Sequence, residues 1–440
     1  MNQTGYQAPP QNYMLTGLLF LTMVVPSLSF MFGAQSMVQG LVAVIMCYII
    51  TVFNVCSLSN ISKNLLSTIK IVTICLAFVF IHGLTNYVLH IEQFNLPRFS
   101  LSFLYLMFFI FGAFSLALIA DKISMKSCSS AMNVIFTTFI LVGILGVLGF
   151  SPFQVGGKPM VFYAEPSHYA LDFLPFLFFI VIQATLKKKI LYLLVAFEIA
   201  VIIHSLTLMV GVALISIVAL QLRMIPIAVG GFFILYSSEP LIQNFLSLVS
   251  PSSPFVIYHK NIDSYLSGRV VLPALDAVSK SSNGSFLVYF SGWERAYLNF
   301  VNYLGFGSGF QQLGYIGNEG TAIEKLISIY RRPLGLLDGG AVAAKFLSEF
   351  GLFALMLLGA YTATFFAKVK NLRMLSTSSF DIKEIKNTFF MCCFVIFSVN
   401  LFVRGLGYFS SSSFLFLASL FWFLLRKTDV ETEHPQKPTV

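Results

Sequence analysis

The chain has 440 residues, 57% of them hydrophobic and only 10% charged, with 48 Phe and a formal net charge of +9. Soluble globular domains carry about 25% charged residues, so this composition excludes a water-soluble enzyme or binding module. Apolar runs of 17 to 25 residues recur from end to end, each long enough to cross a ~30 Å hydrocarbon core, and they predict an all-α polytopic membrane protein.

In chain order the runs predict twelve spans, near 14–33, 37–58, 69–89, 99–120, 131–150, 168–186, 190–204, 205–222, 224–243, 341–367, 387–403 and 408–425. The opening residues are polar and uncharged, unlike a signal peptide, so 14–33 reads as a permanent first span. The run 190–221 is about 32 residues, or ~48 Å as one helix, too long for a bilayer without strong tilt. The polar "HSL" at 204–206 is the natural place to break it. With that break, every basic connecting loop lies on one side. Together with the C-terminal tail these loops hold sixteen of the 27 Lys and Arg, and the positive-inside rule makes that side cytoplasmic. The predicted layout is a membrane domain over 1–243, a large outer loop over 244–340, a second membrane part over 341–427 and a cytoplasmic tail over 428–440. Both termini are then cytoplasmic.

The six cysteines, Cys47, Cys56, Cys75, Cys128, Cys392 and Cys393, fall in apolar runs or a short basic loop. They give no sign of a disulfide framework or zinc site. No HExxH, GxGxxG, Walker or Ser-His-Asp pattern is present. Neither a metal nor another cofactor is expected, and the positive charge reads as topology, not as a nucleic-acid surface.

The chemistry-bearing residues gather on the outer side. "AEPSHYA" places Glu165 and His168 at the lip of the sixth span. Pro166 suits the first turn of a helix, whose positive end favours an ionised Glu165. The pair serves as an acid and an imidazole for proton transfer, or Glu165 caps the helix and His168 lies at the interface. In the large loop, "WERAYLNFVNYL" predicts an amphipathic helix on the membrane surface, anchored by Trp293, Tyr297 and Tyr303 and ended by Gly305, Gly307 and Gly309. Arg269, Arg295 and Arg331 lie where the topology signal does not call for arginine, and a guanidinium binds phosphate through a planar fork. Arg404 stands alone at the tip of an apolar hairpin, "RGLGYF", where it is either a functional charge or a snorkelling one. Glu198, at mid-depth in the seventh span, and His259, in the loop, are secondary candidates.

These pieces resemble the O-antigen polymerase (Wzy-type) family, within the group that includes the O-antigen ligases. The likeness rests on "AEPSHYA", on Arg295 followed by Gly305, Gly307 and Gly309, and on "DGGAVAAKFLSEFGLFALMLL" leading from the loop into a span. The resemblance implies a GT-C-like, metal-independent glycosyltransferase in a bacterial inner membrane. It would use undecaprenyl-pyrophosphate-linked glycans as donor and acceptor at the periplasmic face, with a chain-length regulator protein as a partner. On that basis Glu165 or His168 would take the acceptor's proton, and arginine would stabilise the departing pyrophosphate. An O-antigen ligase shares this architecture and donor. A transporter of the lipid-linked unit is the rival of another class, but the chain shows no repeated halves.

Overall fold

A computed structural model describes residues 11–34, 36–55, 63–152, 160–220, 284–317, 320–377 and 384–432. Among them are thirteen α-helices: α1 Gln11–Met31, α2 Met37–Val55, α3 Lys63–Leu89, α4 Leu96–Lys122, α5 Met125–Val147, α6 Pro166–Gln183, α7 Leu186–Ile202, α8 Leu206–Ala219, α9 Gly284–Asn302, α10 Thr321–Tyr330, α11 Val342–Thr377, α12 Ile385–Phe402 and α13 Ser411–Thr432. Eight are long and apolar enough to cross a membrane; α8 and the Ser411–Arg426 part of α13 are shorter apolar helices. The protein is an all-α, multi-pass membrane protein. Eleven of the twelve expected spans coincide with a helix. The twelfth, 224–243, lies outside the described residues, as do His259 and Arg269.

The run 190–221 is broken where the polar residues fall. His204 adopts a left-handed φ of 54°, and the Ser205 side chain accepts a 3.3 Å hydrogen bond from Leu208 N, capping α8. At the other end of the pair, Lys189 Nζ of α7 donates to Ala219 O, the last residue of α8, at 3.4 Å. The start of α7 and the finish of α8 therefore meet, and the two helices form an antiparallel hairpin.

That meeting point belongs to a basic end of the bundle. Lys189 also donates to Ser376 O (2.7 Å), Lys386 donates to Asp121 O (2.8 Å), and Arg426 lies 3.8 Å from the Asp121 carboxylate. The opposite end collects the α7–α8 turn, α9, α10 and the start of α6.

α6 and α12 occupy the middle of the bundle, with almost every side chain buried. Their sequences, "PSHYALDFLPFLFFIVIQ" and "IKNTFFMCCFVIFSVNLF", are less hydropathic than the other long spans and bury polar side chains such as Asp172 and Asn400, which find partners in protein and not in lipid. Rings interlock between them and their neighbours: Phe176 and Phe179 with Phe389 (both 5.7 Å), and Phe139 with Phe173 (5.8 Å). In lipid such contacts win through close packing, since hydrocarbon outside is as apolar as the core.

α11 is longer than its expected span. Its 36 residues would make ~54 Å if straight, but Gly351, at φ 54° and ψ −125°, kinks it. The part before Gly351 belongs to the end opposite the basic one.

α9 is the amphipathic helix expected around Trp293, but it does not rest its buried face on a membrane surface. That face packs on α11 and the turn before it: Asn299 donates to Ser348 Oγ at 2.7 Å, and a Cβ on Gly292 would lie 1.7 Å from Gly339 O. Tyr297 on its other side is 69% exposed, Trp293 is partly buried against the protein, and Tyr303 stands edge-on to His90. A helix with a buried arginine and asparagine on one face needs protein partners, not lipid.

Candidate active site at the end of the central helices

The start of α6 and the end of α12 lie at the same end of the bundle. Glu165 sits at the N-cap position of α6 with extended backbone (φ −146°, ψ 150°), and Pro166 occupies the first turn. Its side chain makes no capping hydrogen bond, which answers one of the two readings of that residue. Instead, Glu165 Oε2 accepts from Arg404 Nη2 at 3.0 Å and from Ser167 Oγ at 3.1 Å. The pair remains in contact with water, 45% exposed for Glu165 and 25% for Arg404.

Arg404 is aimed by the turn that follows α12. Arg404 N donates to Val399 O (3.0 Å), Leu406 N to the buried Asn400 side chain (3.2 Å), and Gly405 N to Gly340 O (3.0 Å). Gly405 is required at this last contact, because a Cβ there would lie 2.5 Å from Val342 N. The "RGLGYF" hairpin is thereby pinned to the "DGGAV" segment.

His168 lies one turn into α6, 9% exposed, with Nδ1 buried and without a hydrogen-bond partner among the described residues. It is within electrostatic reach of Glu165, Arg404 and Asp338. Asp338 is exposed, and a Cβ on Gly407 would stand 3.7 Å from its Oδ1. Burial works to raise the Glu165 pKa. The charges of Arg404 and His168 and the hydrogen bonds from Ser167 and Arg404 outweigh it and hold the carboxyl below its ordinary range.

The glycine-rich turn after α9 also comes to this end. Gly305, Gly307 and Gly309 have φ of +79°, +86° and +96°. Gly309 N donates to Glu349 O (2.9 Å), Leu352 N to Gly305 O (2.7 Å), and the Glu349 carboxylate accepts from Gln311 N (2.9 Å). A Cβ on Gly307 would lie 2.5 Å from Glu349 O, and one on Gly351 only 1.9 Å from Gly305 O. Kink and turn therefore fit because both strands of the contact are glycine. Gln311 in turn accepts from Arg98, through its backbone O at 3.1 Å and its Oε1 at 3.2 Å.

The other candidates are dispersed. Arg295 is 1% exposed and directs its nitrogens to the carbonyls of Ser291 (3.2 Å), Gly335 (3.1 Å) and Leu336. It holds the fold here and does not join the Glu165–Arg404 pair. Arg331 is exposed at the left-handed C-cap of α10 (φ 58°) and is not among the residues that contact that pair. Glu198, on α7, has both carboxyl oxygens buried with no partner among the described residues.

Sequence reasoning misses three residues. Asp338 reads as a loop acid, and Lys345 reads as a loop-edge charge. Asp172, one further turn along α6, is buried beside Tyr163 and Ser411; its signal, an acid within an apolar run, was available. Among the described residues no group of three or more His, Cys, Asp or Glu is placed to hold a metal ion.

The arrangement joins a carboxylate, an imidazole, a second acid and a guanidinium at the rim of an apolar bundle. It offers a proton acceptor beside a fixed cation able to meet a phosphate. A scan against protein-family models finds no match for the chain, and a search of curated proteins finds none either.

Proposed function

We propose that this end of the bundle catalyses glycosyl transfer between lipid-linked oligosaccharides. The reaction would polymerise undecaprenyl-pyrophosphate-linked repeat units into O-antigen or a related surface polysaccharide, at the periplasmic face of a bacterial inner membrane. The observation that carries the proposal is the 3.0 Å Arg404–Glu165 pair, held at a membrane rim where a lipid-linked headgroup would lie.

In this reaction the acceptor hydroxyl gives up its proton and its oxygen bonds to the anomeric carbon of the donor. The bond from that carbon to the pyrophosphate breaks, and the electron pair leaves with the lipid pyrophosphate. Arg404 is the cation placed to balance the charge that develops on the leaving group. Glu165 and His168 are the groups placed to accept the proton. The ion pair links the two events. When a pyrophosphate draws Arg404 toward itself, Glu165 loses its strongest opposing charge while keeping the burial that raises its pKa. Donor binding then makes the carboxylate a stronger base.

The test is the lipopolysaccharide of a strain lacking the gene. A band with a single repeat unit on the core marks a lost polymerase, and complementation should restore the ladder. Loss of every repeat unit would instead mark a ligase or a transporter and end this reading.

A further inference from the structure

The segment "PLGLLDGG" at 333–340 carries Asp338 into the site and offers Gly340 O to Gly405. Three of its successive carbonyls each accept from a buried cation. Gly335 O accepts from Arg295 Nη2 (3.1 Å), Leu336 O from Arg295 Nη1, and Leu337 O from Lys345 Nζ (2.7 Å). Arg295 is 1% exposed and Lys345 is 2% exposed. A buried cation is costly unless it is hydrogen-bonded; Gly335 O also accepts within the turn from Gly339 N (3.1 Å), whereas the buried carbonyls beside it need partners from outside the turn. At Leu336 and Leu337 the two requirements meet each other.

Lys345 reaches further. Its Nζ donates to Gln311 Oε1 at 3.1 Å, stands 3.9 Å from Glu349 Oε1, and lies 5.1 Å from the centre of the Tyr408 ring. One ammonium therefore touches the glycine turn, the 333–340 segment, α11 and the hairpin that bears Arg404.

We propose that Arg295 and Lys345 are positioning residues, two buried cations that clamp the 333–340 turn. The clamp sets Asp338, and through the Gly340–Gly405 bond Arg404, against Glu165 and His168. Arg295 then acts on the reaction through the turn and not by touching phosphate. The inference rests on the glycosyl-transfer reading only for its activity arm.

The experiment uses the purified full-length protein and three variants. These are Arg295→Gln, Arg295→Lys, and the double variant Lys345→Met/Glu349→Gln, which leaves no lone buried charge. The first readout is tryptic cleavage after Arg331, the exposed arginine just before the turn. Loosening the turn should speed it about tenfold by raising the open population. The second is steady-state kinetics on lipid-linked repeat units. Here kcat should fall about 10- to 100-fold while the donor KM stays within about twofold, the sign of lost transition-state geometry rather than lost binding. Arg295→Lys should fall between wild type and Arg295→Gln in both, since it keeps the charge and loses the fork. If Arg295→Gln does not accumulate, Arg295→Lys carries the same test.

A donor KM raised about tenfold in an Arg295 variant, with cleavage at the wild-type rate, would make Arg295 a substrate ligand and overturn the proposal. Wild-type cleavage together with wild-type kcat would do so too. If the wild-type protein itself fails to polymerise lipid-linked units, the glycosyl-transfer reading falls, and the cleavage arm alone decides the clamp.

Discussion

Arg404 and Glu165 are 239 residues apart in the chain and 3.0 Å apart in the fold. They are brought together because α12 ends where α6 begins. Both helices are buried on nearly every side in the middle of the bundle, so the pair is held between two tightly packed elements. Partial exposure limits its value to stability, at roughly 0–1 kcal/mol for a solvent-screened pair. Its value to catalysis should be far larger. Arg404→Ala is expected to lower the polymerisation rate ~10²–10³-fold, the loss typical of a fixed charge-stabilising group. Its melting temperature should stay close to wild type. A variant that loses activity only in proportion to its loss of folded protein would place the pair among structural contacts.

Glu165→Gln separates chemistry from capping. The Glu165 side chain makes no cap hydrogen bond, so the ~1 kcal/mol of a lost cap is not expected. Activity should fall with the fold unchanged. A fully active Glu165→Gln beside an inactive, well-expressed His168→Ala would move the proton-accepting role to the imidazole.

On the proposed mechanism, the Glu165 pKa sets the acid limb of the pH–rate profile. In the resting protein it lies below the ordinary carboxylate range, held there against burial by Arg404, His168 and Ser167. A group with a lowered pKa stays ionised above that pKa and is lost as pH falls through it. For free enzyme, kcat/KM should therefore hold to a lower pH than an ordinary carboxylate base would allow before it drops. In Arg404→Gln the main opposing charge is gone, and the acid limb of the residual activity should shift upward. An unchanged limb would show that Arg404 does not govern this carboxyl.

Much of this was legible in the sequence, and what was not has a physical reason. The spans were legible because membrane crossing is written in length and hydropathy, and the break at His204 because polar residues interrupt a run too long for the bilayer. Glu165 and Arg404 stood out singly as charges at membrane depth. Their contact did not, because pairing across 239 residues has no local signature. Arg295 stood out for its charge, but its partners are backbone carbonyls, which carry no letter in a sequence. Lys345 looked like one more loop cation until Gln311, Leu337 and Glu349 closed around it.

The two ends of the bundle should face opposite sides of the membrane. In a background without native cysteines, single cysteines at Leu304 (95% exposed) and Tyr297 (69% exposed) should react with an impermeant maleimide in intact cells. Cysteines at Lys122 and Thr377, both exposed at the basic end, should react only after the membrane is opened. Labelling of Thr377→Cys in intact cells, with Leu304→Cys protected, would invert the proposed orientation.

The contact between the α11 kink and the glycine turn makes the sharpest stability prediction. Gly351 has φ 54° and ψ −125°, and a Cβ there would stand 1.9 Å from Gly305 O. Backbone, unlike a flexible side chain, cannot swing away. Gly351→Ala therefore combines conformational strain with a forced separation of α11 from the turn, at a cost of roughly 2–4 kcal/mol. Gly359, eight residues along the same helix, has nothing within 4 Å of a built Cβ. Gly359→Ala should be neutral or stabilising by up to about 1 kcal/mol, the helix-propensity difference between the two residues. Thermal unfolding of the detergent-solubilised variants, followed by size-exclusion chromatography, measures both. Gly351→Ala should melt well below wild type and Gly359→Ala at or above it. If the two melt together, the turn does not dock on the kink, and the Gly309–Glu349 and Leu352–Gly305 bonds that hold it there do not form.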